Sequence, residues 1–152
     1  MDIKIQLTDA MKEAMKSHDE VRKRTVRMAL VAVKQVEVDK RTTLDDAAII
    51  PLLQKEIKNR RVAVEEAKKA NRPDLITENE AEIKVLEAFL PKAMSPGELR
   101  TLIQDAITEA GASTQTDMGK VMKLVMPRVA GRAAGDQISS MVKELLTRQV
   151  PP

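Results

Sequence analysis

Along this chain of 152 residues apolar positions recur with a helical period almost everywhere, and strand-like alternation is never sustained. In a first candidate helix, about residues 3–16, Ile3, Leu7, Met11 and Met15 fall on every fourth position and predict one buried stripe. Ser17-His18-Asp19 is a polar break, with His18 capping or exposed in the turn. A second helix is expected over about residues 20–39, with Val26, Ala29, Leu30, Val33 and Val36 inward. The stretch Arg41-Thr42-Thr43-Leu44-Asp45-Asp46 reads as the start of a third helix, with Thr43 as its cap and two acids at the positive end of the dipole. That helix is expected to reach about residue 70, with Leu53, Ile57, Val64 and Ala67 inward. Pro51 lacks an N–H and predicts a kink or a restart. After a turn at residues 71–74, a fourth helix is expected over about residues 75–90, burying Ile83, Leu86, Phe89 and Leu90.

The clearest boundary is Leu90-Pro91-Lys92-Ala93-Met94-Ser95-Pro96-Gly97, where two prolines and a glycine end one helical system. Ser95-Pro96 opens the next with a cap and a proline at the first helical position. A fifth helix, about residues 96–110, carries Leu99, Leu102, Ile103, Ala106, Ile107 and Ala110 on one stripe and ends at Gly111. Thr116-Asp117 is expected to cap a sixth helix with Met118, Val121, Met122 and Val125 inward. Pro127 should bend or end it, and Gly131 can take the left-handed conformation after it. The seventh helix, about residues 135–147, turns Ile138, Met141, Val142, Leu145 and Leu146 inward, and residues 150–152 are expected to fray. The expectation is an all-α protein: a four-helix N-terminal part over residues 1–92 and a small three-helix domain over residues 93–152.

Composition narrows what such a protein can do. Phe89 is the only aromatic residue, which removes modules that stack bases on aromatic platforms. There is no Cys and only one His, so disulfides, thiolate catalysis and Cys/His zinc sites are excluded. The net charge of +3 permits a local anionic partner without demanding one. The longest apolar run, Met28-Ala29-Leu30-Val31-Ala32-Val33, is fenced by Arg27 and Lys34 and falls far short of the ~20 residues of a membrane span. The polar start Met1-Asp2-Ile3-Lys4 shows no apolar leader, and the cytoplasm is the expected compartment.

Few residue patterns carry chemistry. Gly119-Lys120 is not a phosphate loop, because the preceding glycine is missing and Val121 stands where Ser or Thr would ligate Mg²⁺. Glu65, Glu66, Glu78, Glu80 and Glu82 read as solvated helix faces with partners such as Lys84. Met118, Met122 and Met141 read as core, with Met126 left open. One basic group, Arg22, Lys23, Arg24 and Arg27 with Lys55, Lys58, Arg60 and Arg61, is diluted by acids and reads as a salt-bridged surface. The other, Lys120, Lys123, Arg128 and Arg132, lies in the acid-free stretch from Met118 to Gly135. Gly119, Gly131 and Gly135 let backbone approach a partner there, and the seventh helix points its free N–H groups into the same turn. These features make a candidate site for an anion such as phosphate.

The segments Thr116-Asp117-Met118-Gly119-Lys120-Val121-Met122 and Met126-Pro127-Arg128-Val129-Ala130-Gly131-Arg132-Ala133 resemble the signature of the GatB/YqeY family. So do Leu53-Gln54-Lys55-Glu56 with Lys58-Asn59-Arg60-Arg61, and Leu86-Glu87-Ala88-Phe89-Leu90-Pro91-Lys92. The resemblance runs from about residue 3 to 147 and is to the stand-alone YqeY-like proteins. It implies a small C-terminal domain similar to the tail of the B subunit of glutamine-dependent aminoacyl-tRNA amidotransferases, a tail that contacts tRNA. Gly119, Lys120, Gly131, Arg132 and Ala133 match the tail motif, while Ala134 replaces the acid or other cap that the family often has there. The resemblance brings no catalytic residue, cofactor or metal, because the enzyme's kinase cradle and amidase subunit have no counterpart here. The leading expectation is a non-catalytic tRNA-associated binding protein, with no DNA or membrane partner. An adaptor docking on an amidotransferase or a synthetase is second, and a carbon–nitrogen ligase with glutamine as amido donor is third.

Overall fold

A computed structural model describes residues 2–148 of the chain, and the expected fraying of residues 150–152 lies outside them. Among the described residues there are seven α-helices: α1 (Ile3–Ser17), α2 (Glu20–Lys40), α3 (Asp46–Lys69), α4 (Pro73–Glu87), α5 (Pro96–Ala110), α6 (Met118–Val129) and α7 (Gly135–Arg148). A single 3₁₀ turn, Gln115–Asp117, leads into α6. The chain is all-α, as expected, and divides into one compact unit ending at Leu90 and a second starting at Pro91.

In the first unit, aspartates start three of the four helices, and α4 starts on Pro73 without a side-chain cap. Asp2, Asp19 and Asp45 each accept a backbone N–H three residues ahead, from Ile5, Arg22 and Ala48. Asp45 therefore replaces Thr43 as the cap of α3. The start is displaced because Leu44 is buried and its N–H donates to the Glu37 carboxylate at 3.2 Å, which anchors the loop before the helix begins. Helix α3 runs through Pro51 without a restart, and the proline ring is exposed. The α1 stripe is Ile3, Leu7, Ala10 and Ala14, while Met11 is half-buried and Met15 exposed. Strict four-residue spacing outruns a 3.6-residue turn, so Met15 has rotated off the core face. Helix α4 starts at Pro73 and ends at Glu87, so Phe89 is buried from the turn beyond it. The core of this unit joins Leu7, Val26, Val33, Ile49, Leu53, Ile57 and Leu86.

A buried ionic network crosses this unit. Arg60 of α3 and Glu82 of α4 are both buried and meet at 2.9 Å, and Arg60 also bonds Glu56 at 2.8 Å. Arg24 of α2 reaches Glu82 at 3.0 Å and Glu78 at 2.8 Å. Burial alone would depress the Arg60 guanidinium, yet its bonds to Glu56 and Glu82 together raise it above its ordinary value. Glu82 is thus not part of a solvated face. Its partners lie 22 and 58 residues away in sequence, beyond the reach of a helix-face reading.

In the second unit, α5, α6 and α7 surround Leu99, Ile103, Ile107, Val121, Val125, Ile138, Val142 and Leu146. Leu102 is half-buried rather than central, as are Met118, Met122 and Met141, and Met126 is exposed. Pro127 does not end α6, which continues to Val129.

Candidate functional site

The candidate anion site is carried on α6 and on the turn between α6 and α7, and both ends of this segment are fixed by local bonds. At its start, the Asp117 carboxylate accepts the backbone N–H groups of Ser113 and Thr114, at 3.1 and 3.4 Å. The Ser113 and Thr114 bonds, with help from Lys120, hold this carboxyl below its ordinary value. At the far end the chain turns through two left-handed residues, Ala130 at φ 50° and Gly131 at φ 80°. Gly131 suits that conformation, whereas Ala130 adopts it against its Cβ.

The four cations of the turn do not act alike. Lys120 leaves 73% of its side chain exposed and lies 3.9 Å from Asp117. Lys123 is exposed and forms no ion pair among the described residues. Arg128, in contrast, is bonded to Glu109 of α5. Arg132 donates through Nε to the Lys92 carbonyl at 3.0 Å and lies 3.4 Å from Glu98 of α5. Its own carbonyl accepts the Met94 N–H at 2.8 Å, so Arg132 ties the start of this unit to the α6–α7 turn. Glu98 is also the reciprocal partner of Ser95 in the capping box of α5.

The acid-free stretch of sequence is therefore not acid-free in space. Glu98, Asp105 and Glu109 are spaced i, i+7 and i+11 on α5, and two of them meet the two arginines. That acidic spacing was the signal in the sequence for these residues. Between α5 and the turn lies an open groove of about 570 Å³, lined by Met94, Glu98, Leu102, Asp105, Arg128 and Arg132 among others. The groove carries both signs of charge, so it is not a simple anion pocket.

Gly119 and Gly135 have a separate meaning. Neither has a positive φ, and a Cβ added to either would meet nothing within 4 Å. The fold requires neither glycine, and the space above each is open. Helix α7 begins after Ala134, whose carbonyl accepts from Ile138 at 3.0 Å and whose side chain offers no cap. Among the described residues no cluster of His, Asp or Glu is arranged to hold a metal ion, and no helix is long and apolar enough to cross a membrane.

Comparison with known proteins finds the family described as Yqey-like protein over residues 4–146. A relative in Lachancea thermotolerans, named Altered inheritance of mitochondria protein 41, mitochondrial, is 30% identical over 98% of this chain and 81% of its own length. The protein of the same name in Pyrenophora tritici-repentis is 27% identical over 90% of this chain and 76% of its own length. The one in Meyerozyma guilliermondii is 31% identical over 93% and 72%. These names overturn the expected cytoplasmic compartment, since the curated relatives are mitochondrial proteins. An apolar leader marks secretory export alone, so its lack does not separate cytoplasm from mitochondrion.

Proposed function

The chain belongs to the YqeY-like family, and on that premise we propose that its second unit is a non-catalytic tRNA-binding element. The observation that carries this reading is the solvent-open pair Lys120 and Lys123, beside a glycine whose outward face is clear. Two lysines one turn apart match the phosphate backbone of a folded RNA, and Gly119 and Gly135 allow that backbone to come close. Arg128 and Arg132 contribute by fixing the turn against α5 rather than by donating free charge.

The test is tRNA binding by the full chain as salt is varied. Two phosphate contacts give an affinity that falls roughly tenfold between about 50 and 200 mM salt, with a Kd in the micromolar range or weaker. Lys120→Glu with Lys123→Glu should abolish binding without touching the Arg132 tie. Reversing Arg22 and Lys23, which lie 3.8 Å from Glu13 and Glu20, should do less. Equal binding by the parent and the α6 variant removes RNA from this surface. A second reading, an adaptor that docks on an amidotransferase or a synthetase, is favoured by one observation in the other unit: the exposed valines of α2.

A further inference from the structure

The apolar run at residues 28–33 does not all enter the core. Ala29 and Val33 are buried, but Met28 is 49% exposed, Val31 62%, and Val38 one helical repeat further on 58%. Arg27, Val31, Lys34 and Val38 follow the spacing i, i+4, i+7, i+11, which places them along one narrow outward seam with the heptad repeat of a helix pair. Valine is a poor choice for an exposed helix position, because its branched Cβ loses rotamer freedom against the preceding turn. Neither helix formation nor the core of this unit accounts for Val31 and Val38.

The charges on the seam point to the partner. Arg22, Lys23 and Arg24 of the same helix all lie within reach of acids of their own chain. Arg27 and Lys34 form no ion pair within 4 Å among the described residues; Glu37 feels the charge of Lys34 through space, but its carboxylate is bonded to Lys4. Glu37 is turned to Lys4 and the Leu44 N–H, and Asp39 accepts from the Gln35 amide. The seam is also preorganised. Helix α2 is closed at its start by Asp19 and at its end by the left-handed Arg41, and Arg24 fixes it to Glu78 and Glu82 of α4.

We propose that the outward face of α2 docks an amphipathic helix of another protein, one with acids opposite Arg27 and Lys34 and apolar side chains opposite Val31 and Val38. A second copy of this chain fits poorly, because antiparallel self-pairing sets each cation against a valine, Arg27 against Val38 and Lys34 against Val31, and parallel self-pairing sets each cation against itself. RNA would use the two cations and leave the valines unserved. From Arg27 to Val38 the seam is about 16 Å long, so the partner contributes three to four helical turns and the complex is small and readily reversible. The inference gives the adaptor reading its surface and its partner chemistry. It is independent of tRNA binding on α6, and its failure leaves that reading untouched.

Photo-cross-linking side chains placed at Val31 and Val38 of the full chain, in its host cell, test this, with exposed Val62 of α3 as the control position. The expected product is a segment of another protein with acids and apolar residues at heptad spacing, in at least tenfold higher yield than at Val62. Arg27→Glu with Lys34→Glu should lower that yield tenfold, and so should Val31→Ser with Val38→Ser, with circular dichroism unchanged. In a second arm, a synthetic 21-residue helix with Leu and Glu at the two seam positions should bind the parent and lose tenfold or more against Arg27→Glu with Lys34→Glu. Replacing its Glu by Lys should restore binding to that variant. Cross-links to RNA, to a second copy, to a segment without this pattern or at the Val62 level overturn the proposal. So does a peptide affinity indifferent to the charge reversal.

Discussion

Arginine is used differently in the two units. In the first, Arg60 is buried among helices and held by two carboxylates, with Arg24 completing the network from α2. In the second, Arg128 and Arg132 lie at the surface, each paired with one acid of α5. All buried polar residues among those described, Thr25, Glu37, Arg60 and Glu82, belong to the first unit. The second coheres through apolar packing and leaves its charges to solvent and partners. The lesson is that a basic residue's role follows from the acids across the fold, not from those beside it in sequence.

The buried network offers the sharpest way to break this contrast. Glu82→Ala leaves Arg60 in the interior with Glu56 alone and Arg24 with Glu78 alone. Removing one partner of a buried pair costs about 3–5 kcal/mol, measurable by urea denaturation. Arg60→Met combined with Glu82→Leu should recover most of that loss, since an apolar pair of similar volume needs no counter-charge. A cost for Glu82→Ala below about 1 kcal/mol, typical of exposed pairs, would place the network effectively in water.

In the second unit the comparable loss should come from an apolar residue. Ile103 is fully buried, and Ile103→Ala should cost about 2–5 kcal/mol. Leu102 lines the open groove, so Leu102→Ala should cost only about 1 kcal/mol. We propose that the two units melt separately, in which case Ile103→Ala shifts the transition of the second and spares that of the first. Equal costs at the two positions would mean that the groove is closed in solution.

These neighbouring residues also mark how far the sequence could be read. The helices were legible because periodicity is local: the stripe through Leu99, Ile103, Ala106 and Ile107 needs no knowledge of what packs on it. Choosing between Leu102 and Ile103 required the position of α6 and α7, which periodicity does not supply. The exposure of Lys120 and Lys123 was legible, because a helix facing solvent keeps its charges there. The pairing of Arg128 and Arg132 was not, because their partners Glu109 and Glu98 lie 19 and 34 residues away. Glu82 was misread for the same reason.

A smaller effect follows from pH. The Glu37 carboxyl is held below its ordinary value, first by the Lys4 ammonium at 2.7 Å and then by the Leu44 N–H. A depressed folded-state pKa contributes stability that is fully present above the unfolded carboxylate range, near ~4.3, and is lost as pH falls through the folded value. Acid should therefore loosen the α1–α2 tie of the first unit. Glu37→Gln should be less stable than the parent at neutral pH and show a flatter dependence of Tm on pH below about 5. Parallel curves for the two proteins would mean that Glu37 contributes nothing to acid sensitivity.

The smallest expected effect isolates the backbone of the α6–α7 turn from its charges. Ala130 at φ 50° carries a Cβ in the left-handed region, which costs about 1–2 kcal/mol. Ala130→Gly removes that cost and adds back about 0.4–1 kcal/mol through a freer unfolded chain, for a net gain of about 0.5–1 kcal/mol. Gly131→Ala, at φ 80°, should do the reverse. Besides its pairing with Glu98, the position of Arg132 is set by three bonds with backbone groups: its N–H to the Val129 carbonyl, its carbonyl to the Met94 N–H, and its Nε to the Lys92 carbonyl. None of the three involves the Ala130 side chain. Thermal melts should therefore rise with Ala130→Gly while tRNA affinity stays within about twofold, since the lysines of α6 are untouched. A gain in stability with a loss of binding would show that the strained alanine, not the Arg132 tie, holds the turn in the form that meets RNA. A loss of stability would show that the turn does not keep its left-handed pair in solution.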